Sequence, residues 1–213
     1  MTEGREAYDP DWDAVGAAMR DAIKKSRGYA TWWEWAPARP LHEHHVASVL
    51  SRFLFGDEAV DALTFPDQDP PDVVLPIAGL RIGIEVTEII DPKAVETARY
   101  LKRKRDGWSP RDLALANWPW PDWPDNRLRD AIGAAIGVKY KKLAAVAGGY
   151  AEIYLAMATD EPDVNLEQAA RVVGAMAAET TNIDRAFLLL GYNPSVDKGI
   201  YPDRCPVFEI KLQ

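Results

Sequence analysis

The sequence predicts an α/β domain in which helices flank a mixed central sheet, and three observations carry that prediction. Two β-branched runs, "DVVLPIA" and "LRIGIEVTEII", stand side by side with Gly79 between them. A long stretch over 125–147 follows, with apolar residues at helical spacing. Beyond it come "YAEIYLAMAT", "LEQAARVVGAMAAET", "RAFLLLG" and "VFEIKL", which read as strand, helix, strand and strand. Segments that alternate this way bury their apolar sides by stacking sheet against helix.

Taken in order, residues 11–27 read as a short amphipathic helix ending near Gly28, and the Trp/Pro stretch 29–40 as irregular. Pro40 heads "LHEHHVASVLSRFLFG", where Leu41, His45, Val49 and Phe53 recur at helical spacing and Gly56 offers a stop. Pro70 and Pro71 then punctuate the chain before the two strands, which a tight hairpin joins. Asp91-Pro92 open a charged helix through about Arg105, and 107–125 read as a Trp/Pro loop. The helix over 125–147 stops at Gly148-Gly149. The order is helix, two or three strands, helix, strand, helix, strand, strand.

With 213 residues, 47% of them hydrophobic, the chain is long enough for one core and short for two, so 1–213 reads as a single domain. A net charge of −8 disfavours broad adhesion to nucleic acid or anionic membrane, while leaving room for a local basic groove. Cys205 is the one cysteine, so no intrachain disulfide forms. The opening "MTEGREAYDPDWD" is acidic rather than basic-then-apolar. Both features lead us to expect a cytoplasmic protein. No membrane span is expected either, since "AIGAAIGV" is cut by Lys139.

The strand "RIGIEVTEI" raises the functional question, because a core strand should not carry carboxylates. Side chains alternate across a strand, so Arg81, Gly83, Glu85 and Thr87 share one face and Ile82, Ile84, Val86 and Glu88 the other. Glu88, at the strand end, is expected to reach solvent. Asp72 heads the preceding strand, and hairpin pairing would bring it to Glu85. Two carboxylates in one site repel unless a cation neutralises them. A hard divalent ion such as Mg²⁺ suits such a pair, filling its shell with water and phosphate oxygens. The plainer alternative is an edge-strand Glu85 facing water and an Asp72 in a proline turn.

The helix over 125–147 supplies a second anomaly. Winding it puts Leu128, Ile132, Ile136, Leu143 and Val146 in one apolar stripe, with Lys139 in the middle and Lys142 at the edge. Lys141 points the opposite way. An ammonium on a buried face needs a partner, and a carboxylate cluster would supply one. Snorkelling to water is the alternative.

Together, "PPDVVLP", "IGIEVTE", a helix carrying "KYKKL" and the strand "YAEIYLAM" resemble the restriction-endonuclease-like PD-(D/E)XK nuclease superfamily over residues 41–158. The resemblance implies an α-β-β-β-α-β core, with N-terminal helical and C-terminal αββ decorations around it. Pro71-Asp72 matches the first acidic element and Glu85-Val86-Thr87 the second, except that Thr87 stands where a lysine is expected. Some members of the superfamily carry that lysine on the next core helix, a role open to Lys139 or Lys142. Glu43 matches an acidic residue on the helix before the strands. The resemblance implies a hydrolase that cuts phosphodiester bonds with Mg²⁺ or Mn²⁺, DNA in preference to RNA, as an endonuclease or exonuclease. Asp72 and Glu85 would bind the metal, a helix lysine would orient water or phosphate, and Glu43 would assist a second metal or proton removal. Many nucleases of this fold dimerise, which leaves room for a homodimer. The missing strand lysine keeps open an inactive member serving as a binding or assembly module.

Other motifs weigh less. In "LHEHHV", His42 and His45 are helical neighbours, but zinc needs three or four ligands. His45 reads as a partly buried packing residue or an imidazole lining the cleft. "YLKRKRDGWSPR" places Lys102, Arg103, Lys104, Arg105 and Arg111 in one basic run able to contact phosphates. Trp108, Trp118, Trp120 and Trp123 beside it would stack on bases or, more simply, pack on the core. No phosphate-cradling glycine loop or nucleophile elbow occurs.

Overall fold

The computed structural model describes residues 39–66, 69–96, 122–161 and 163–213. The expected helix over 11–27, most of the 107–125 loop and the basic residues Lys102, Arg103, Lys104, Arg105 and Arg111 lie outside that set. So do Trp108, Trp118 and Trp120.

Helix α1 spans Arg39–Phe55 and α2 Asp57–Asp61. Gly56 separates them at φ 87°, a left-handed conformation that costs glycine little. Strands β1 (Val73–Ile77) and β2 (Leu80–Glu88) pair antiparallel. Their two-residue turn, Ala78-Gly79, has positive φ at both positions, which matches the twist of a tight hairpin. Residues 92–96 are helical. Helix α3 (Asp125–Leu143) leads through a 3₁₀ turn at Ala147–Gly149 to β3 (Glu152–Thr159). Helix α4 (Leu166–Gly174), β4 (Ala177–Ala178), β5 (Arg185–Leu190) and β6 (Val207–Leu212) complete the chain.

The strands form one six-stranded mixed sheet in the order β1-β2-β3-β5-β6-β4. β3 is parallel to β2 and to β5, and β6 runs antiparallel to β5. Its two faces bury different residues of the same strands. Val73, Ile82, Ile84, Val86, Tyr154, Ala156 and Phe187 pack against α1 and α2. Ile153, Leu155, Met157, Ala186 and Leu188 pack against α3 and α4. Period-two alternation therefore assigns each strand residue to a helix layer.

Several expectations need correction. Among the described residues two strands precede α3, the lower of the two numbers expected, and a single antiparallel bridge, Thr64 with Val74, stands where the third strand of the implied core would lie. Helix α3 ends at Leu143 rather than near 147. "AMAAET" is not a helix tail: α4 stops at Gly174, and Ala177–Ala178 pair parallel with β6. On α1, Leu41 is 63 % exposed and His45 is exposed, whereas Glu43, Val46, Ala47 and Leu50 are buried. An every-fourth-residue ladder drifts about 40° per step around a helix, so Leu41, His45, Val49 and Phe53 cannot share one buried stripe. Among the described residues, no helix is long and apolar enough to cross a membrane.

Candidate active site

The hairpin register sets the site. Val73 lies opposite Ile84, so the next step outward puts Asp72 opposite Glu85. Facing residues of an antiparallel pair point to the same side, and here that side is the α3 face. Along this face β2 offers Gly83, Glu85 and Thr87 where its neighbours offer aliphatic side chains. A Cβ on Gly83 would lie 3.1 Å from Pro71 and 3.3 Å from Tyr150. The bare backbone at Gly83 thus lets Pro71 pack onto β2, which seats Asp72 beside Glu85.

Glu85 is not at the sheet edge and does not face water. Its strand is internal, with β1 and β3 on either side, and the residue is 0 % exposed. Lys139 answers the anomaly on both elements at once: its Nζ donates to Glu85 Oε1 at 2.5 Å and to the Val86 carbonyl at 3.2 Å. Lys142, one helical turn on, donates to the same Oε1 at 3.0 Å and to Asp69 Oδ1 at 2.6 Å. Lys141 is exposed, as the helical wheel requires. Glu85 Oε2 is buried and has no hydrogen-bond partner among the described residues.

Asp72 is 8 % exposed, and its Oδ2 accepts from the Val86 amide at 2.7 Å. Burial, then the neighbouring charge of Glu85, push its carboxyl up to about 7 against the pull of that amide. Arg39 Nη2 lies 3.8 Å from Asp72 Oδ1, while Arg39 Nε donates to Glu43 Oε1 at 2.6 Å. Glu43 is therefore buried beside the site and paired with Arg39. Asp69 sits at the exposed rim, where the Lys142 hydrogen bond holds its carboxyl below the usual range.

Asp69, Asp72 and Glu85 each offer an oxygen, all within 4.8 Å of one another, a spacing that could hold a metal ion. The donor set fits a hard cation: three carboxylates, one with a buried oxygen that has no partner among the described residues. It is the one such group among the described residues and contains no histidine. His42 is half-buried and His45 exposed, and neither joins a group with metal-like spacing among the described residues. Thr87 lies on the Glu85 face, half-buried, and the lysine charge reaches Glu85 from α3 instead.

No family model, curated protein or solved structure matches this chain. The geometry therefore stands by itself. The sequence pointed to Asp72, Glu85, Lys139, Lys142 and Glu43, and these five gather at one place. It passed over Asp69 and Arg39. Asp69 precedes the proline pair, outside any strand alternation, and Arg39 sits in a stretch that reads as irregular. A third acid in "DQDPPD" is the signal that was there to find.

One further expectation changes, and one alternative is decided. Glu88 does not reach solvent freely: burial, then the charges of Asp160 and Glu161, push its carboxyl up to about 8. Trp123 is a core residue, 3 % exposed, with the Arg127 guanidinium 4.6 Å over its ring and its carbonyl accepting from Gln168.

Proposed function

We propose that this chain is a metal-dependent nuclease of the PD-(D/E)XK kind, hydrolysing phosphodiester bonds in DNA in preference to RNA. One observation carries the reading: Asp72 and Glu85, cross-strand neighbours, meet Lys139 from α3 at a single buried point. A carboxylate pair beside a lysine is the donor set such hydrolysis uses, and the lysine arrives from the helix because Thr87 occupies its strand position. The core order differs from α-β-β-β-α-β by the strand that is only a bridge here.

Asp72 and Glu85 would hold Mg²⁺ or Mn²⁺, which when bound supplies an activated water and charge stabilisation at the phosphate. Lys139 fixes the Glu85 carboxylate by bonding to it and to the Val86 carbonyl together. The Val86 amide does the same for Asp72. Arg39 ties Glu43 into this wall, so Glu43 supports the site from behind. Lys142, the more exposed of the two lysines, would meet a phosphate.

The test is incubation of plasmid, single-stranded DNA and RNA with Mg²⁺ or Mn²⁺, wild type beside Glu85→Ala. Metal-dependent cutting lost in the variant supports the proposal. A folded wild type that cuts nothing refutes it and favours a binding or assembly module.

A further inference from the structure

Two lysines reach Glu85, and they are held differently. Lys139 is anchored on the Val86 carbonyl, a backbone group of the β2 ladder. Among the described residues Lys142 is bound only by carboxylates, Asp69 at 2.6 Å and Glu85 at 3.0 Å, and both belong to the group with metal-like spacing. Its side chain is also the more exposed of the two, 33 % against 15 % for Lys139. An ammonium therefore sits between two of the three carboxylates, with a route to solvent. Within that group Glu85 is fully buried and its Oε2 has no partner among the described residues, so the site keeps an unused acceptor.

We propose that Asp69 is a third carboxylate ligand of the divalent ion, and that Lys142 is the resident counter-ion displaced from Asp69 and Glu85 when that ion binds. This rests on the metal reading above and adds to it a ligand and an exchange. An ion seated on Glu85 Oε2, Asp69 and Asp72 would bring two positive charges against both ammonium groups at Glu85 Oε1, and the lysine with no other anchor gives way. Lys139 stays, because its second bond is to backbone. Lys142 leaves, because both of its bonds are to groups the ion takes over. Its flexible stem then carries the ammonium toward the rim, where a substrate phosphate would meet it. Metal binding and phosphate capture are thereby coupled through one side chain.

The experiment is Mn²⁺ titration of the full chain by calorimetry and electron paramagnetic resonance, with circular dichroism confirming that each variant is folded. Lys142→Met should bind Mn²⁺ about tenfold more tightly, the equivalent of relieving one partly buried ion pair. Asp69→Asn should bind about tenfold more weakly, and Lys141→Met, exposed and on the far side, should match wild type. Acylation of Lys142 followed by mass spectrometry should speed up when Mg²⁺ is added, because the ion takes its two carboxylate partners and its charge disfavours the ammonium. Unchanged or weaker binding by Lys142→Met, normal binding by Asp69→Asn, or metal-independent acylation overturns the exchange. If Glu85→Gln abolishes binding while the Asp69 and Lys142 variants behave as wild type, only this inference falls. If Glu85→Gln binds normally, or wild type binds no Mn²⁺, the metal reading falls with it.

Discussion

Replacing Lys139 by methionine tests the most unusual feature of the fold, a fully buried carboxylate on an internal strand. Methionine keeps most of the stem volume and removes the ammonium. The change deletes two hydrogen bonds, to Glu85 Oε1 at 2.5 Å and to the Val86 carbonyl at 3.2 Å. Removing one partner of a buried pair costs about 3–5 kcal/mol, because the other charge is left without compensation. Lys142 still donates to Glu85 at 3.0 Å, which brings the expected loss to the lower bound of that range or just under it, about 2–3 kcal/mol. In a chain of this length that corresponds to a Tm lower by roughly 5–10 °C. The assay is urea and thermal denaturation in chelator, with a double-mutant cycle. Lys139→Met combined with Glu85→Gln should recover more than half of the loss, since no buried charge is then stranded. A single variant within about 0.5 kcal/mol of wild type would refute the reasoning, because that is the scale of an ordinary surface change.

The pH dependence of stability has a definite sign. Asp72 has a folded pKa of about 7 against the usual 3.8, so the folded state holds a proton the unfolded chain has lost. Its contribution is present below pH 3.8 and disappears as pH rises through about 7. Metal-free protein should therefore lose stability across that window, and Asp72→Asn should flatten the slope in denaturant melts; an unchanged slope contradicts the assignment. Glu88, raised from 4.5 to about 8, acts in the same direction at the far end of β2, so Glu88→Gln should flatten an upper part of the same curve. Gly83→Val forces a Cβ to 3.1 Å from Pro71, and should cost about 1–3 kcal/mol in denaturation while weakening Mn²⁺ binding through Asp72. Glu43→Gln, which keeps the shape but loosens Arg39 beside Asp72, should lower cleavage without abolishing it, whereas Asp72→Asn should abolish it; equal losses would give Glu43 a direct role.

The sheet and the heart of the site were legible for the same reason. Period-two alternation in "RIGIEVTE" marks Glu85 as facing opposite to Ile84 and Val86, and a two-residue turn leaves one register, which brings Asp72 across. Lys139 was legible because a charged residue interrupts a four-member apolar stripe, Leu128, Ile132, Ile136 and Leu143, all of them buried. Pattern failed where tertiary contacts override local preference. "AMAAET" has strong helical propensity, yet Ala177 and Ala178 pair with β6, since the sheet edge rewards backbone pairing. The buried face of α1 was misplaced because Glu43 is hidden on it, and a buried acid looks like a surface residue until its Arg39 partner is seen. Asp69 escaped for a related reason: a rim carboxylate beside two prolines carries no periodicity, and only the reach of Lys142 across from α3 ties it to the site.

The central claim is that Asp72 and Glu85 hold a divalent ion that drives phosphodiester cleavage. Its most direct test is the cleavage rate of an end-labelled DNA duplex with Mg²⁺, compared between wild type and Asp72→Asn proteins of matched circular dichroism. The account predicts cutting by wild type that stops in chelator and falls at least about a hundredfold in the variant, the scale of losing a metal's Lewis-acid contribution. Equal rates in the two proteins, or a folded wild type that leaves the duplex intact with both Mg²⁺ and Mn²⁺, would contradict it.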